Sequence, residues 1–295
     1  MIAATAIANT EPVATLQVLD TGDAFAAERF GTCFLWTIPA AGSCRRILID
    51  GPPGLSRLLR GLGLSGAEIG ELVLTHIHPD HSAGAAILLI LRRYAYGKKT
   101  ILYTSDAVFQ TLLEGFFPAF LDRFTPDLQT TVRDRPEDYV EFRPLQSGRI
   151  HELGDAARVE IRHNWHPVPT LGLKLHWRDG TVAISGDHCF RPDLLAQLRD
   201  QGVISSERHE LLGGSWLWDA HLIYHEASPH GGPHTREEDL LTLPPDTQAK
   251  IRLVHLPDGY HPRHFPAAQP GETVHFLPSG GVRLDASPEA PAGSP

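Results

Sequence analysis

The chain has 295 residues, 42% of them hydrophobic, with 35 Asp and Glu against 26 Lys and Arg, a formal charge of −9. That is enough apolar chain to bury a sizeable core, so one large domain is expected over residues 1–285. The acidic balance argues against strong non-specific binding to nucleic acid, whose affinity rests on Lys and Arg neutralising phosphates.

The start, Met1 to Ala8, is apolar but lacks the basic residues and the length of a secretion signal. Leu16–Leu19, Cys33–Ile38 and Ile47–Asp50 read as short strands separated by turn residues. A helix over Leu55–Leu62 precedes a strand, Glu71-Leu72-Val73-Leu74, that runs straight into Thr75-His76-Ile77-His78-Pro79-Asp80-His81. Ser82 is placed to cap a helix over Ala83–Ala95, whose apolar run stops at Arg92-Arg93 and is too short to cross a bilayer. After a strand at Thr100–Thr104 comes a helical insertion, Asp106–Phe124, with Phe109, Phe116, Phe117, Phe120 and Phe124 mostly at helical spacing. It reads first as core packing, and otherwise as a lid over a site or a homodimer contact. Strands follow near Val140–Phe142, Arg149–Leu153, Arg158–Arg162, Leu171–Trp177 and Val182–Ser185. Pro192–Leu212 reads as helical, His221–His225 and Ile251–His255 as strands, and Val274–Leu277 as the last strand. Ala286–Pro295, rich in Pro, Ala, Gly and Ser, reads as a disordered tail. Cys33, Cys44 and Cys189 have no metal-ligand spacing and read as the reduced thiols of a cytoplasmic protein.

From His76 to His81, three imidazoles and a carboxylate fall within six residues, and these are ligand types preferred by zinc and neighbouring transition metals. Alternate residues of an extended chain share a side, so His76 and His78 can converge on one ion. A turn at Pro79 would send Asp80 and His81 toward a second. The plain alternative is a polar loop in a chain with 17 His, and the spacing and strand context weigh against it.

The run resembles the H-x-H-x-D-H signature of the metallo-β-lactamase superfamily. The resemblance implies an α/β fold, a four-layer αββα sandwich, with two adjacent divalent metal ions at its rim. Zinc (Zn2+) is expected, with Mn2+ or Fe2+ open. Three later segments are similar to the remaining ligand positions: His166 through Gly172, Ser185-Gly186-Asp187, and Leu253-Val254-His255. Carried over position by position, the first metal takes His76, His78, His166 and Asp187, and the second takes Asp80, His81, Asp187 and His255. His163 competes with His166, and the six-residue spacing to Gly172 favours His166.

The segments Thr21-Gly22-Asp23-Ala24-Phe25, His225-Glu226-Ala227 and His234-Thr235 look like blocks of ribonuclease Z and related phosphodiesterases. In that branch the His of the last block contacts the scissile phosphate and assists the leaving group, a role the resemblance gives to His234. Asp80 would orient a metal-bridging hydroxide. Gly172 and Asp187 are separated only by a hairpin's worth of chain, without the arm that binds transfer RNA, so no transfer RNA partner is expected. The region from Arg191 onward is more similar to metallo-hydrolase modules found beside cyclic-nucleotide-binding domains. The expected function is a binuclear metal-dependent hydrolase, a phosphodiesterase acting on a small phosphodiester or cyclic nucleotide, with no membrane partner. The alternatives are a lactonase, β-lactamase or thioesterase, an iron-dependent sulfur oxygenase, or a non-catalytic metal-containing binding module. Asp50 is a candidate to support a ligand imidazole, and the roles of His188, His225 and Glu226 are left open.

Overall fold

The computed structural model describes residues 13–124, 129–213 and 215–285, so the apolar start and the Pro-rich tail lie outside the described residues. Its strands are β1 (Thr15–Asp20), β2 (Cys33–Ala40), β3 (Ser43–Ile49), β4 (Glu71–Val73), β5 (Thr100–Thr104), β6 (Arg123–Phe124), β7 (Val132–Arg133) and β8 (Val140–Pro144) in the first half. The second half adds β9 (Ile150–Gly154), β10 (Ala157–His163), β11 (Leu171–Trp177), β12 (Gly180–Ile184), β13 (Leu222–Glu226), β14 (Ile251–Val254), β15 (Thr273–Phe276) and β16 (Val282–Asp285). The helices used below are α1 (Leu55–Gly61), α2 (Pro79–Tyr96), α3 (Asp106–Thr111), α4 (Phe117–Phe120), α5 (Pro136–Tyr139), α6 (Pro192–Asp200) and α7 (Ser206–Gly213).

Two mixed sheets result, one ordered β16-β15-β1-β2-β3-β4-β5-β8 and the other β14-β13-β12-β11-β10-β9, with β6 and β7 forming a separate ribbon. Successive side chains of a strand leave on opposite faces, and in both sheets both faces are apolar. Trp36 pairs with Leu16 on one side and Ile47 on the other, and this row points between the sheets. There it meets Val159, Ile161, Leu173 and Leu175 of β10 and β11 in one buried cluster. On the far face of the first sheet, Leu35, Leu48 and Leu72 pack under Leu55 and Leu59 of α1 and Leu88 and Leu89 of α2. On the far face of the second, Ala183, Ile223, Ile251 and Leu253 are covered by Phe190, Leu217, Leu240 and Phe265. The layers are thus helix, sheet, sheet, helix, the expected αββα sandwich.

Several boundaries differ from the sequence reading. Helix α2 begins at Pro79, four residues before Ala83, because proline at the first helical position lacks an N–H that would be unbonded anyway. His78 occupies the cap position, and Ser82 instead donates its hydroxyl to the Ile77 carbonyl at 2.8 Å. A methyl at Gly84 would lie 1.9 Å from the Pro52 carbonyl oxygen, so this glycine lets α2 seat against the loop that follows β3. The Phe-rich insertion is not one helix: α3 passes through a π turn at Leu112–Phe116 into α4, and the ribbon follows. Phe116 and Phe117 are buried with the α1–α2 layer and Phe109 stacks on Phe142 at 3.8 Å, so these three pack a core, while Phe120 is exposed. Pro192–Leu212 is split into α6 and α7, with Gly202 at φ +71° between them. Strand β16 was not expected. Among the described residues no helix is long and apolar enough to cross a membrane, and the three cysteines are unpaired.

Candidate metal centre

The three-residue strand β4 ends at Val73, and the chain continues through Leu74 to His78 before α2 begins. His76 and His78 therefore leave this connection, while Asp80 and His81 leave the first turn of α2. From the second sheet come His166, after β10, Asp187, after β12, and His255, after β14. Gly186 and His255 sit in the left-handed region at φ +58° and +59°. A Cβ at Gly186 would stand 2.3 Å from the Leu171 carbonyl oxygen, so only glycine permits this approach to Asp187. A positive φ in a non-glycine residue costs free energy and clusters at functional sites, and His255 and Asp50 both carry one.

These residues form two groups that meet at Asp187. In the first, the His78 Nδ1 lies 3.1 Å from His76 Nε2 and 3.2 Å from His166 Nε2. Asp187 Oδ2 lies 3.6 and 3.7 Å from those two Nε2 atoms. In the second, Asp80 Oδ2 lies 3.2 Å from both His81 Nε2 and His255 Nε2, and Asp187 Oδ1 faces the same pair at 3.2 and 3.6 Å. Two ligands about 2.0–2.1 Å from a tetrahedral zinc stand about 3.3 Å apart, so both groups have the spacing of a ligand cage. Buried His81 Nε2 and Asp187 Oδ1 also face each other without a hydrogen bond, which a shared cation would satisfy. His163, the rival of His166, is the last residue of β10 and belongs to neither group.

The neighbouring hydrogen bonds select the ligand tautomers. Asp50 Oδ2 accepts from His81 Nδ1 at 2.8 Å and from the Thr75 hydroxyl at 2.7 Å, while its Oδ1 accepts the Thr75 N–H. With its proton given to Asp50, Thr75 Oγ1 accepts from His76 Nδ1 at 3.1 Å. In their neutral forms both imidazoles thus turn a bare Nε2 inward, as metal ligation requires. Asp50→Ala is expected to weaken metal affinity about 10–100-fold with little change in far-UV circular dichroism. Competition with a chromogenic chelator would measure it, and unchanged affinity would remove Asp50 from this role.

Protonation follows burial and charge. Burial pushes His76 well below the ordinary imidazole range and His166 down to about 4, so the first group is neutral and ready to ligate. Burial also opposes a charge on His81 and His255, yet the carboxylates, Asp187 foremost, outweigh it and raise both, His255 to about 9. Burial likewise opposes ionisation of Asp187, and the His255 and His81 charges hold it well below the usual range. A cation entering the second group therefore displaces protons.

Beside the cage, His234 stacks on His255 at 5.1 Å and turns Nδ1 to Glu226 Oε2 at 3.3 Å. Glu226 is fully buried, and its Oε1 accepts the backbone N–H of His188 and Thr235 at 3.0 Å each. Burial raises the Glu226 pKa. Burial opposes a charge on His234, but the Glu226 carboxylate facing it raises it above the ordinary value. His234 thus has Nε2 left for a ligand. His188 and His225 point elsewhere: burial takes them to about 3 and 4, His188 accepts the Trp165 N–H and His225 stacks on Trp218 at 5.5 Å.

Comparison with known proteins agrees with this geometry. The structure superposes with TM-score 0.64 and 14% identity on the metallo-β-lactamase fold protein YhfI from Bacillus subtilis, over 90% of this chain and 100% of that one, which establishes the fold. In sequence, 210 residues align at 30% identity with the cAMP/cGMP-dependent 3',5'-cAMP/cGMP phosphodiesterase B of Dictyostelium discoideum. That alignment spans 71% of this chain but 18% of the slime-mould protein. Over 246 residues the chain is 29% identical to the Anti-Pycsar protein Apyc1 of Paenibacillus sp. (strain J14), covering 82% of this chain and 89% of that one. With this fold, the His and Asp groups support divalent metal binding. The family model described as Anti-Pycsar protein Apyc1 matches residues 14–277, and the chain belongs to that family.

Proposed function

We propose that the chain is a binuclear phosphodiesterase that hydrolyses 3',5'-cyclic nucleotides, with His76, His78, His166 and Asp187 holding one cation and Asp80, His81, Asp187 and His255 the other. The observation that carries this is Asp187, whose two oxygens each face a separate histidine group with His234 and Glu226 alongside. The name of the Dictyostelium relative supports the substrate class, and the mixed imidazole and carboxylate donors suit zinc.

Divalent cations held there would acidify a bound water and supply positive charge beside the phosphate oxygens. The chain's own residues do the rest. Asp80 orients the attacking water as its oxygen joins phosphorus, and the proton that water gives up passes to solvent. As the ester P–O bond breaks, His234 Nε2 delivers a proton to the departing oxygen. Glu226 holds the opposite face of that imidazole in register and stabilises its charged form.

Dialysis against a chelator is expected to abolish turnover of cyclic AMP, and divalent cation is expected to restore it. Elemental analysis of the purified protein should return two metal ions per chain. Full turnover with no metal bound would overturn the assignment, and so would a metal-loaded protein that cleaves lactones or thioesters but no phosphodiester.

A further inference from the structure

The loop between β1 and β2 is fixed along its length. Gly22 bridges to Leu256, the Glu28 N–H donates to Asp258 Oδ2 at 2.9 Å, and the Phe30 N–H donates to Asp20 Oδ2 at 2.9 Å. Inside it, Asp23 Oδ1 accepts the Phe25 N–H at 2.9 Å, an Asx turn that sets the direction in which Phe25 leaves the backbone. Yet Phe25 is 92% exposed, the barest large hydrophobic side chain among the described residues. A pinned backbone holding an unburied ring marks a contact surface rather than a folding element.

That ring is also a wall of a cavity. With Asp23, Ser228, His230, His234 and His255 it lines a space of about 340 Å³. This is the small end of the roughly 300–1,000 Å³ typical of ligand pockets. The cavity therefore joins the bare ring to His234 and His255, the side chains at the reacting end.

We propose that Phe25 is the platform on which the nucleobase of a cyclic nucleotide stacks while its phosphate lies between His234 and the metal ligands. This rests on the phosphodiesterase reading above and adds the element that holds the rest of the substrate. Bases stack on aromatic side chains through a π-face that every base has. Phe25 touches none of the reacting atoms, so its contribution falls on binding: the base anchored on the loop fixes where the phosphate rests.

The test compares cyclic AMP with a base-free ribose 3',5'-cyclic phosphate, using the metal-loaded wild type, Phe25→Ala and Phe25→Trp. Phe25→Ala is expected to raise KM for cyclic AMP about 10-fold with kcat little changed, to leave turnover of the base-free substrate as in wild type, and to be rescued by Phe25→Trp. An unchanged KM, or an equal loss on both substrates, would overturn the proposal. So would a KM change that tracks dissociation of a dimer in sedimentation, since the ring would then be a subunit contact. If the wild type cleaves an aryl phosphodiester but no cyclic nucleotide, the underlying substrate reading has failed instead.

Discussion

Replacing Asp187 with Asn is expected to cost about 10³-fold in kcat and to lower the metal content of the purified protein below that of wild type. The carboxylate is the one group shared by both histidine sets. An amide of the same shape offers one acceptor oxygen and no charge, so it can serve one side and must turn a donor toward the other. The metal-stripped proteins add a stability signature. Asp187 is the foremost of the groups that raise His81 and His255 above the ordinary imidazole value. Their contribution is therefore complete below pH of about 6.5 and is lost as pH rises through the folded value, about 9 for His255. The melting temperature of stripped Asp187→Asn should fall furthest below that of stripped wild type near pH 6, and the gap should narrow toward pH 10. A gap that widens with pH, or metal content equal to wild type, would show that Asp187 does not hold this position.

His234→Ala is expected to lower kcat for cyclic nucleotides about 10²–10⁴-fold, the range for loss of a general acid, while metal content stays at the wild-type level. His234 lies within ligand reach of Asp187 and His255, but its Nδ1 is 4.0 Å from Asp187 and nearer to Glu226 at 3.3 Å, so the imidazole is turned to Glu226 at the edge of the cage. A nitrophenyl ester, whose leaving group departs without needing a proton, should lose far less. The pH profile gives the sign. The Glu226 carboxylate raises the His234 pKa above its ordinary value, which extends the acid form to higher pH, and turnover should decline as pH rises through that raised pKa. In His234→Ala this alkaline limb should flatten. Equal losses on both kinds of ester with the limb retained would assign the proton transfer to another group.

The layered fold was legible because its strands announce themselves twice: Ile47-Leu48-Ile49 alternates between the intersheet core and the helix layer, so the whole run is apolar. The seven candidate ligands were legible because one motif names four of them and the others lie just after strands. What escaped was set by partners distant in sequence. Glu226 has its meaning from His188, Thr235 and His234, brought to it by the β12 and β13 connections, and nothing beside it in the chain discloses this. The start of α2 escaped for a local reason, since Ser82 is a stronger cap residue by type than His78, and Pro79 at the first turn overrode it. The insertion kept its helical spacing in sequence, but the π turn changes which aromatics share a face.

The candidate ligand atoms come from both halves of the sandwich. His76, His78, Asp80 and His81 belong to the β4–α2 corner of one sheet, and His166, Asp187 and His255 to strand ends of the other. A cation gathered there would act as a clasp across the seam between the two leaves. Its binding free energy is added to their cohesion, about 2.7 kcal/mol when free metal stands at a hundred times its dissociation constant. Scarcity of metal in the surroundings would therefore lower the stability of the folded chain as well as silence it.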